Sequence, residues 1–301
     1  MSPCLLDKIV PPVPKIRLGD TSIEVPIIGF GTWQYSSGVE PLVTAIESGA
    51  TFIDTAETYG SEEVVGEALV GRRREVFLAT KVRPANFRRR DLIAAADRSL
   101  RRLRTDYIDL YQLHWPNYTV PIEETMSAME ELVEAGKIRF IGVSNFYGSD
   151  LEAAQNALKK NKVVSNQVKY SLIERTIESG PLAYCREHHI TIIAFSPFGT
   201  HFPLLYERDP EGVLAKVAER NGKTIAQVAL NWILRKEGIV IIPKASTVEH
   251  VRDDCGAVGW QLPEQDIRLL SDRVRFTCRG SMERFARKLG RSAVQRMGRS
   301  L

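Results

Sequence analysis

The sequence is short of the residues that staple small folds or hold metal ions. Its 301 residues include four scattered cysteines, Cys4, Cys185, Cys255 and Cys278, with no Cys-x-x-Cys pair, and only five histidines. A disulfide scaffold and a structural zinc site are both disfavoured, and free thiols in a reducing cytosol fit better. Long hydrophobic runs are missing as well. Stretches such as residues 190–198 are too short and interrupted to span a bilayer, so no integral membrane segment is expected. Asp7, Lys8 and then Pro11, Pro12 and Pro14 stand where a signal peptide would be apolar, which points to a cytoplasmic protein. No Gly-x-Gly-x-x-Gly opens a helix after a strand, which removes a Rossmann dinucleotide site. No serine or cysteine sits beside a base for covalent acyl transfer, and no carboxylate cluster offers a metal site.

What remains is a globular balance, with 44% hydrophobic and 26% charged residues, enough apolar material for a large core. The net charge of +4 is unevenly spread. Residues 279–301 hold seven basic residues and one acid, which leaves 34 basic against 36 acidic residues in the remainder. The body is nearly neutral, so nucleic-acid binding by the whole protein loses its support. The runs Arg72, Arg73, Arg74 and Arg88, Arg89, Arg90 read as solvated surface.

Short apolar runs alternate with amphipathic segments. The runs at 26–29, 52–54, 76–81, 108–114, 140–143, 165–170, 192–195 and 240–243 read as buried parallel strands. Helical periodicity occupies 41–48, 62–69, 91–103, 122–135, 150–159, 180–187, 213–234 with a break near Asn221-Gly222, and 247–255. Eight strand–helix repeats predict an α/β fold, a closed (β/α)₈ TIM barrel, over a core of residues 15–270. A β-hairpin at 16–25 precedes it, a basic extension at 279–301 follows it, and the whole of 1–301 reads as one domain. Residues 197–210 read as a loop.

Polar residues collect where the predicted strands end. Strand two ends at Asp54, with Tyr59 in the loop beyond; strand three ends at Lys81 and strand four at His114. Strand ends of a barrel surround one opening, so these four side chains should converge there. They make sense as a proton-donating unit. A phenol is a poor acid near neutral pH, an adjacent ammonium favours its phenolate, and a paired carboxylate keeps that ammonium charged. His114 is then placed to orient a substrate oxygen.

These residues sit in motifs that resemble the aldo-keto reductase superfamily over about residues 15–270. Gly29-Phe30-Gly31-Thr32-Trp33, Asp54-Thr55-Ala56-Glu57-Thr58-Tyr59-Gly60, Thr80-Lys81-Val82 and Leu113-His114-Trp115-Pro116 occur in that family's order. Gly142-Val143-Ser144-Asn145-Phe146, Asn166-Gln167, Phe195-Ser196-Pro197 and Ile242-Pro243-Lys244-Ala245-Ser246 resemble its coenzyme-contacting segments. The resemblance implies a compact-loop, prokaryotic-type NADPH-dependent reductase of aldehydes and ketones, with Tyr59, Lys81, Asp54 and His114 catalytic and no metal. It implies a coenzyme site built by Thr32 and Trp33, by Ser144, Asn145 and Gln167 at the carboxamide, and by Phe195 as a stacking face. Ser196, Phe198 and Thr200 would follow the pyrophosphate, and Lys244 and Ser246 the adenosine 2′-phosphate.

The family's frequent Arg and Asn are replaced by His250 and Asp254, which makes NADH a credible second coenzyme, and Asp253 stands where the family contacts adenine. Trp33 and Trp115 would line the entrance for a small-molecule carbonyl substrate. The alternative is a relative that keeps the barrel and dinucleotide site as a non-catalytic regulatory subunit; the intact set of four residues weighs against it. In the tail, Met282, Phe285, Leu289, Ala293 and Met297 recur at helical spacing, while Gly290 weakens the helix. A solvated or loosely docked tail is expected, with docking at the site's mouth and contact with an anionic surface as the other possibilities.

Overall fold

A computed structural model describes residues 12–297, together with their side chains other than that of Ser281. The chain opens with a hairpin, β1 (Lys15–Arg17) and β2 (Glu24–Pro26), turning at Gly19-Asp20. Then follow β3 (Phe30–Gly31), α1 (Val39–Glu47), β4 (Phe52–Asp54), α2 (Glu62–Ala68), β5 (Phe77–Val82) and α3 (Arg89–Arg102). The middle of the chain supplies β6 (Ile108–Leu113), α4 (Ile122–Glu134), β7 (Ile138–Ser144), α5 (Ser149–Ala157), β8 (Val163–Lys169) and α6 (Pro181–Glu187). The last third holds β9 (Thr191–Phe195), α7 (Leu204–Arg208), α8 (Val213–Arg220), α9 (Ile225–Leu234) and β10 (Ile239–Ile242), then α10 (Val248–Cys255), α11 (Glu264–Arg273) and α12 (Ser281–Arg296).

Strands β3 to β10 form one parallel sheet in sequence order. Backbone bonds close it: Gly29 N donates to Ile241 O at 2.8 Å and Gly31 N to Pro243 O at 2.9 Å, so the first and last strands meet. The fold is therefore the expected (β/α)₈ barrel. Side chains alternate across each strand. Ile53, Leu78, Tyr111, Leu113 and Val143 face outward into the core shared with the helices. Phe52, Phe77, Leu110, Ile193 and Val240 face inward and fill the barrel, with the Phe52 and Phe77 rings stacked 5.2 Å apart.

The hairpin stops the N-terminal end of this interior. Leu18 and Val25 complete the inner cluster, and Gly19 N donates to Thr191 Oγ1 at 2.7 Å. Gly19 has φ +53, and a Cβ there would lie 2.8 Å from Val164 O, so any side chain would lift the plug. With one end plugged and the interior filled, the C-terminal end of the barrel is left to hold a site.

The helix break near Asn221-Gly222 falls where expected. Thr224 restarts the chain as α9 with a capping box to Gln227. Two readings need correction. Residues 197–210 are not all loop, since α7 forms within them. Arg73 is not merely solvated: its guanidinium pairs with buried Asp109 at 2.8 Å and donates to the Val76 and Tyr107 carbonyls, both at 2.9 Å.

The tail is loosely docked, with none of its described helical side chains buried. It forms α12 and docks over the loop that follows β6, at the mouth of the barrel. The Arg291 guanidinium stacks on the Trp115 ring at 4.1 Å, and Gln295 donates to Pro116 O at 3.0 Å while accepting from Tyr118 N at 2.8 Å. Lys288 pairs with Asp150 at 2.7 Å. The docked face is the polar one; Met282, Phe285, Leu289 and Met297 point outward. Apolar burial does not hold this helix, and its hydrophobic stripe stays exposed. Residues 298–301, and Cys4 with the rest of 1–11, lie outside the described residues.

Candidate active site

Above the filled layer, inward positions switch from apolar to polar. Asp54 ends β4, two residues after Phe52. Lys81 lies four residues after Phe77 on β5, and Gln112 two after Leu110 on β6. The period of two puts each on the inner face, one or two layers above the core. There Lys81 Nζ, fully buried, donates to Asp54 Oδ1 at 2.6 Å and to Thr55 O at 2.9 Å. The other carboxylate oxygen accepts from Gln167 Nε2 at 2.8 Å and Gln112 Nε2 at 3.2 Å. A buried ion pair is tolerable only when its remaining hydrogen-bonding capacity is met, and two amides meet it here.

Tyr59 hangs over this pair from the β4–α2 loop. Its hydroxyl lies 3.3 Å from Lys81 Nζ and 3.3 Å from His114 Nε2, with the Tyr59 and His114 rings edge-on. All four expected residues therefore converge.

Their proton affinities follow from burial and charge. Burial raises the Tyr59 phenol above its ordinary value; Lys81 pulls it back only in part, and Asp54 pushes it up again. The sequence suggested a phenol lowered by its ammonium neighbour, but the net direction is upward, because dehydrating a phenolate outweighs one nearby cation that already has a carboxylate partner. Burial alone would lower the Lys81 ammonium, but the charges of Asp54 and Tyr59 more than offset it and carry it above its ordinary value. Burial, then the Lys81 charge, depress His114 to about 3, so its ring is neutral. The cluster thus presents a protonated phenol, a charged ammonium and a neutral imidazole.

These groups floor a cavity of about 1010 Å³ bounded by Trp33, Trp115 and Phe202 and extending past Phe195 and Ser196 to Lys244 and Asp254. Of the coenzyme candidates, Trp33, Ser144, Asn145, Gln167, Phe195, Ser196, Phe198, Thr200, Lys244, His250, Asp253 and Asp254 line it. Two do not. The Thr32 side chain turns away into the wall, donating to Asp54 O at 3.0 Å and accepting from Ser61 Oγ at 2.8 Å. Ser246 is exposed beside the opening, its carbonyl accepting from Ser37 Oγ at 2.9 Å. Ser144 spends its hydroxyl proton on Gln167 O at 3.0 Å, and Asn145 Nδ2 reaches His114 O at 3.2 Å. The Asn145 and Gln167 amide oxygens have no hydrogen bond among the described residues. Asp253 accepts from Thr224 Oγ1 at 2.9 Å. Burial, then Asp253, push the Asp254 carboxyl well above its ordinary value.

Backbone strain gathers at the same place. Among the described residues five non-glycines have positive φ, and Gln34, Asn145 and Ser196 line the cavity. Such conformations cost of order 1–3 kcal/mol each and persist where packing enforces them. Sequence reasoning missed Gln112, Lys169 and His201. The first was within reach, because it lies on β6 two residues before His114; Lys169 follows Gln167 by the same interval.

Comparison with known proteins agrees with this geometry. The aldo/keto reductase family model matches residues 27–273, the whole barrel through α11. The chain belongs to the aldo/keto reductase family. It is 39% identical over 262 residues to methylglyoxal reductase YeaE of Escherichia coli, covering 84% of this chain and 91% of that protein. The crystal structure of an aldo-keto reductase from Klebsiella pneumoniae in complex with NADPH superposes with a TM-score of 0.83 at 36% identity, covering 89% and 98% of the two chains. A thermostable aldo-keto reductase, Tm1743, crystallised with the inhibitor epalrestat, gives a TM-score of 0.80 at 40% identity, covering 86% of this chain and 99% of that one. As a member of this family the chain is an oxidoreductase.

Proposed function

We propose that this aldo/keto reductase reduces aldehydes and ketones to alcohols with NADPH, using Tyr59 as the general acid. The observation that carries the reading is the Tyr59 hydroxyl held 3.3 Å from both Lys81 Nζ and His114 Nε2 on the floor of an aromatic-walled cavity.

The residues present fit a nicotinamide dinucleotide. The unused amide oxygens of Asn145 and Gln167 suit a carboxamide NH₂, Phe195 offers an aromatic face, and the loop from Ser196 to Thr200, with a hydroxyl at each end, leads away toward Lys244. When bound, that coenzyme supplies the hydride. The protein supplies the rest. Neutral His114 donates no charge, so it orients the carbonyl oxygen without competing for the proton. Tyr59, a protonated phenol across the neutral pH range, gives its proton to that oxygen as negative charge develops there. Lys81 then faces a phenolate at 3.3 Å, and Asp54 keeps the ammonium charged throughout. Trp33 and Trp115 present apolar faces to the substrate body. The NADPH-bound relative and the methylglyoxal reductase support the coenzyme and the substrate class respectively. His250 and the buried Asp254 in place of an arginine and an asparagine leave NADH as a second coenzyme.

Tyr59→Phe tests the assignment. Turnover of an aromatic aldehyde should fall about 10²–10⁴-fold, the usual contribution of general acid catalysis, while NADPH affinity measured by fluorescence holds. A variant with most of the wild-type turnover would overturn the role of Tyr59.

A further inference from the structure

The cavity holds a cation that neither the proton-donating cluster nor the coenzyme-facing residues account for. Lys169 is the last residue of β8 and pairs in register with Phe195 of β9. Its half-buried side chain lines the same cavity as Tyr59 and His114. It stands two residues beyond Gln167, hence on the same inward face and one layer nearer the mouth. Among the described residues its ammonium has no hydrogen bond and no carboxylate within 4.0 Å. Glu174 is the acid that acts on it, and Glu174 is already spent. One of its carboxylate oxygens takes Arg279 at 2.8 Å, and the other takes the Thr176 backbone N–H at 3.2 Å and the Thr176 hydroxyl. Burial consequently pulls Lys169 below its ordinary value, with Glu174 countering in part and Arg279 adding to the pull. A half-buried cation without a counterion is held at a cost that a bound anion removes.

We infer that Lys169 is an oxyanion-binding residue of this cavity, pairing through its ammonium with a carboxylate or phosphate oxygen of the molecule bound there. The inference rests on the reductase reading and deepens it, by giving the cavity a preference for anionic ligands. Two sources carry that chemistry. One is a carbonyl substrate bearing its own carboxylate. The other is the coenzyme pyrophosphate, whose expected loop starts at Ser196, directly after the strand partner of Lys169. Lys244, beyond the end of β10 and exposed, faces the far end of the cavity and does not duplicate this charge.

The experiment uses the full chain with Lys169→Met and Lys169→Arg, each checked by thermal melting. Trp33 and Trp115 line the cavity, so their fluorescence reports binding of NADPH, inorganic pyrophosphate and 4-carboxybenzaldehyde separately. Alongside, the ratio of kcat/KM for 4-carboxybenzaldehyde to that for benzaldehyde is measured. A fall of about tenfold or more in that ratio in Lys169→Met, with NADPH affinity intact, supports the substrate carboxylate as the anion. A comparable loss of NADPH and pyrophosphate affinity with the ratio intact supports the pyrophosphate. In either case Lys169→Arg, which keeps the charge, should remain close to wild type. If Lys169→Met folds and changes neither the ratio nor any of the three affinities, the inference is overturned. A wild type that reduces neither aldehyde overturns the reductase reading instead, and the binding titrations still decide Lys169.

Discussion

Lys81→Met is the sharpest test of how the site is held together. The substitution keeps the length of the side chain and removes its charge, leaving Asp54, only 2% exposed, facing two amide donors and no cation. Breaking a buried pair from one side typically costs about 3–5 kcal/mol, because the remaining charge stays dehydrated. At roughly 2–4 °C per kcal/mol for a chain of this size, the thermal midpoint should drop by roughly 6–20 °C. Asp54→Asn/Lys81→Met should recover most of that loss, since a neutral amide oxygen still accepts from Gln167 and no charge is stranded. Midpoints by circular dichroism for wild type, single and double variants measure all of this. A single variant within about 2 °C of wild type, or a double variant no better than the single one, would refute the account of the Asp54–Lys81 pair.

Three further outcomes are expected. His114 is depressed to about 3, against an unfolded value near 6.5, so stability should fall as pH drops through that window. The loss is about 2 kcal/mol at pH 5 relative to pH 8, and denaturant titrations of wild type and His114→Gln should differ by that slope. Lys244→Ala should weaken NADPH by about 1.5–3 kcal/mol and leave NADH nearly unchanged, and equal losses for both in binding titrations would make Lys244 structural. Deleting residues 280–301 should leave the barrel folded but bare the Trp115 ring that Arg291 covers, raising KM severalfold for aromatic aldehydes at little cost in kcat. A truncated chain that fails to fold would show that the polar contacts of α12 belong to the barrel's own stability.

How much was legible in advance depended on the kind of information required. Seven of the eight strands could be read because parallel barrel strands are buried on both faces and leave apolar runs, as at Phe52-Ile53 and Ile192-Ile193, whereas β3 (Phe30–Gly31) lies just past the run expected at 26–29. The helix break at Asn221-Gly222 could be read because Gly222 takes φ +61, a local conformation that glycine favours. Helix α11 went unread because only Asp266 and Leu270 of its ten residues are buried, too few for a periodic signal. The five residues of α7 are shorter than any periodicity can show. The convergence of Asp54, Tyr59, Lys81 and His114 was legible because barrel topology brings consecutive strand ends to one rim, whatever the details of packing.

Sequence by itself determined the strand–helix alternation, the alternation of inward and outward side chains, and hence which polar residues reach the rim. Those are local properties, set by backbone geometry with a period of two or 3.6 residues. Tertiary structure alone decided what each polar group has left to offer. Gln167 spends its amide nitrogen on Asp54, 113 residues away, Thr32 is turned into the wall, and burial drives the Tyr59 phenol up although Lys81 is adjacent. It also decided that α12 docks by its charged face, through an arginine–tryptophan contact between residues 176 positions apart. Hydrogen-bond saturation, dehydration and surface complementarity are sums over neighbours distant in the chain, and no local pattern of residues encodes them.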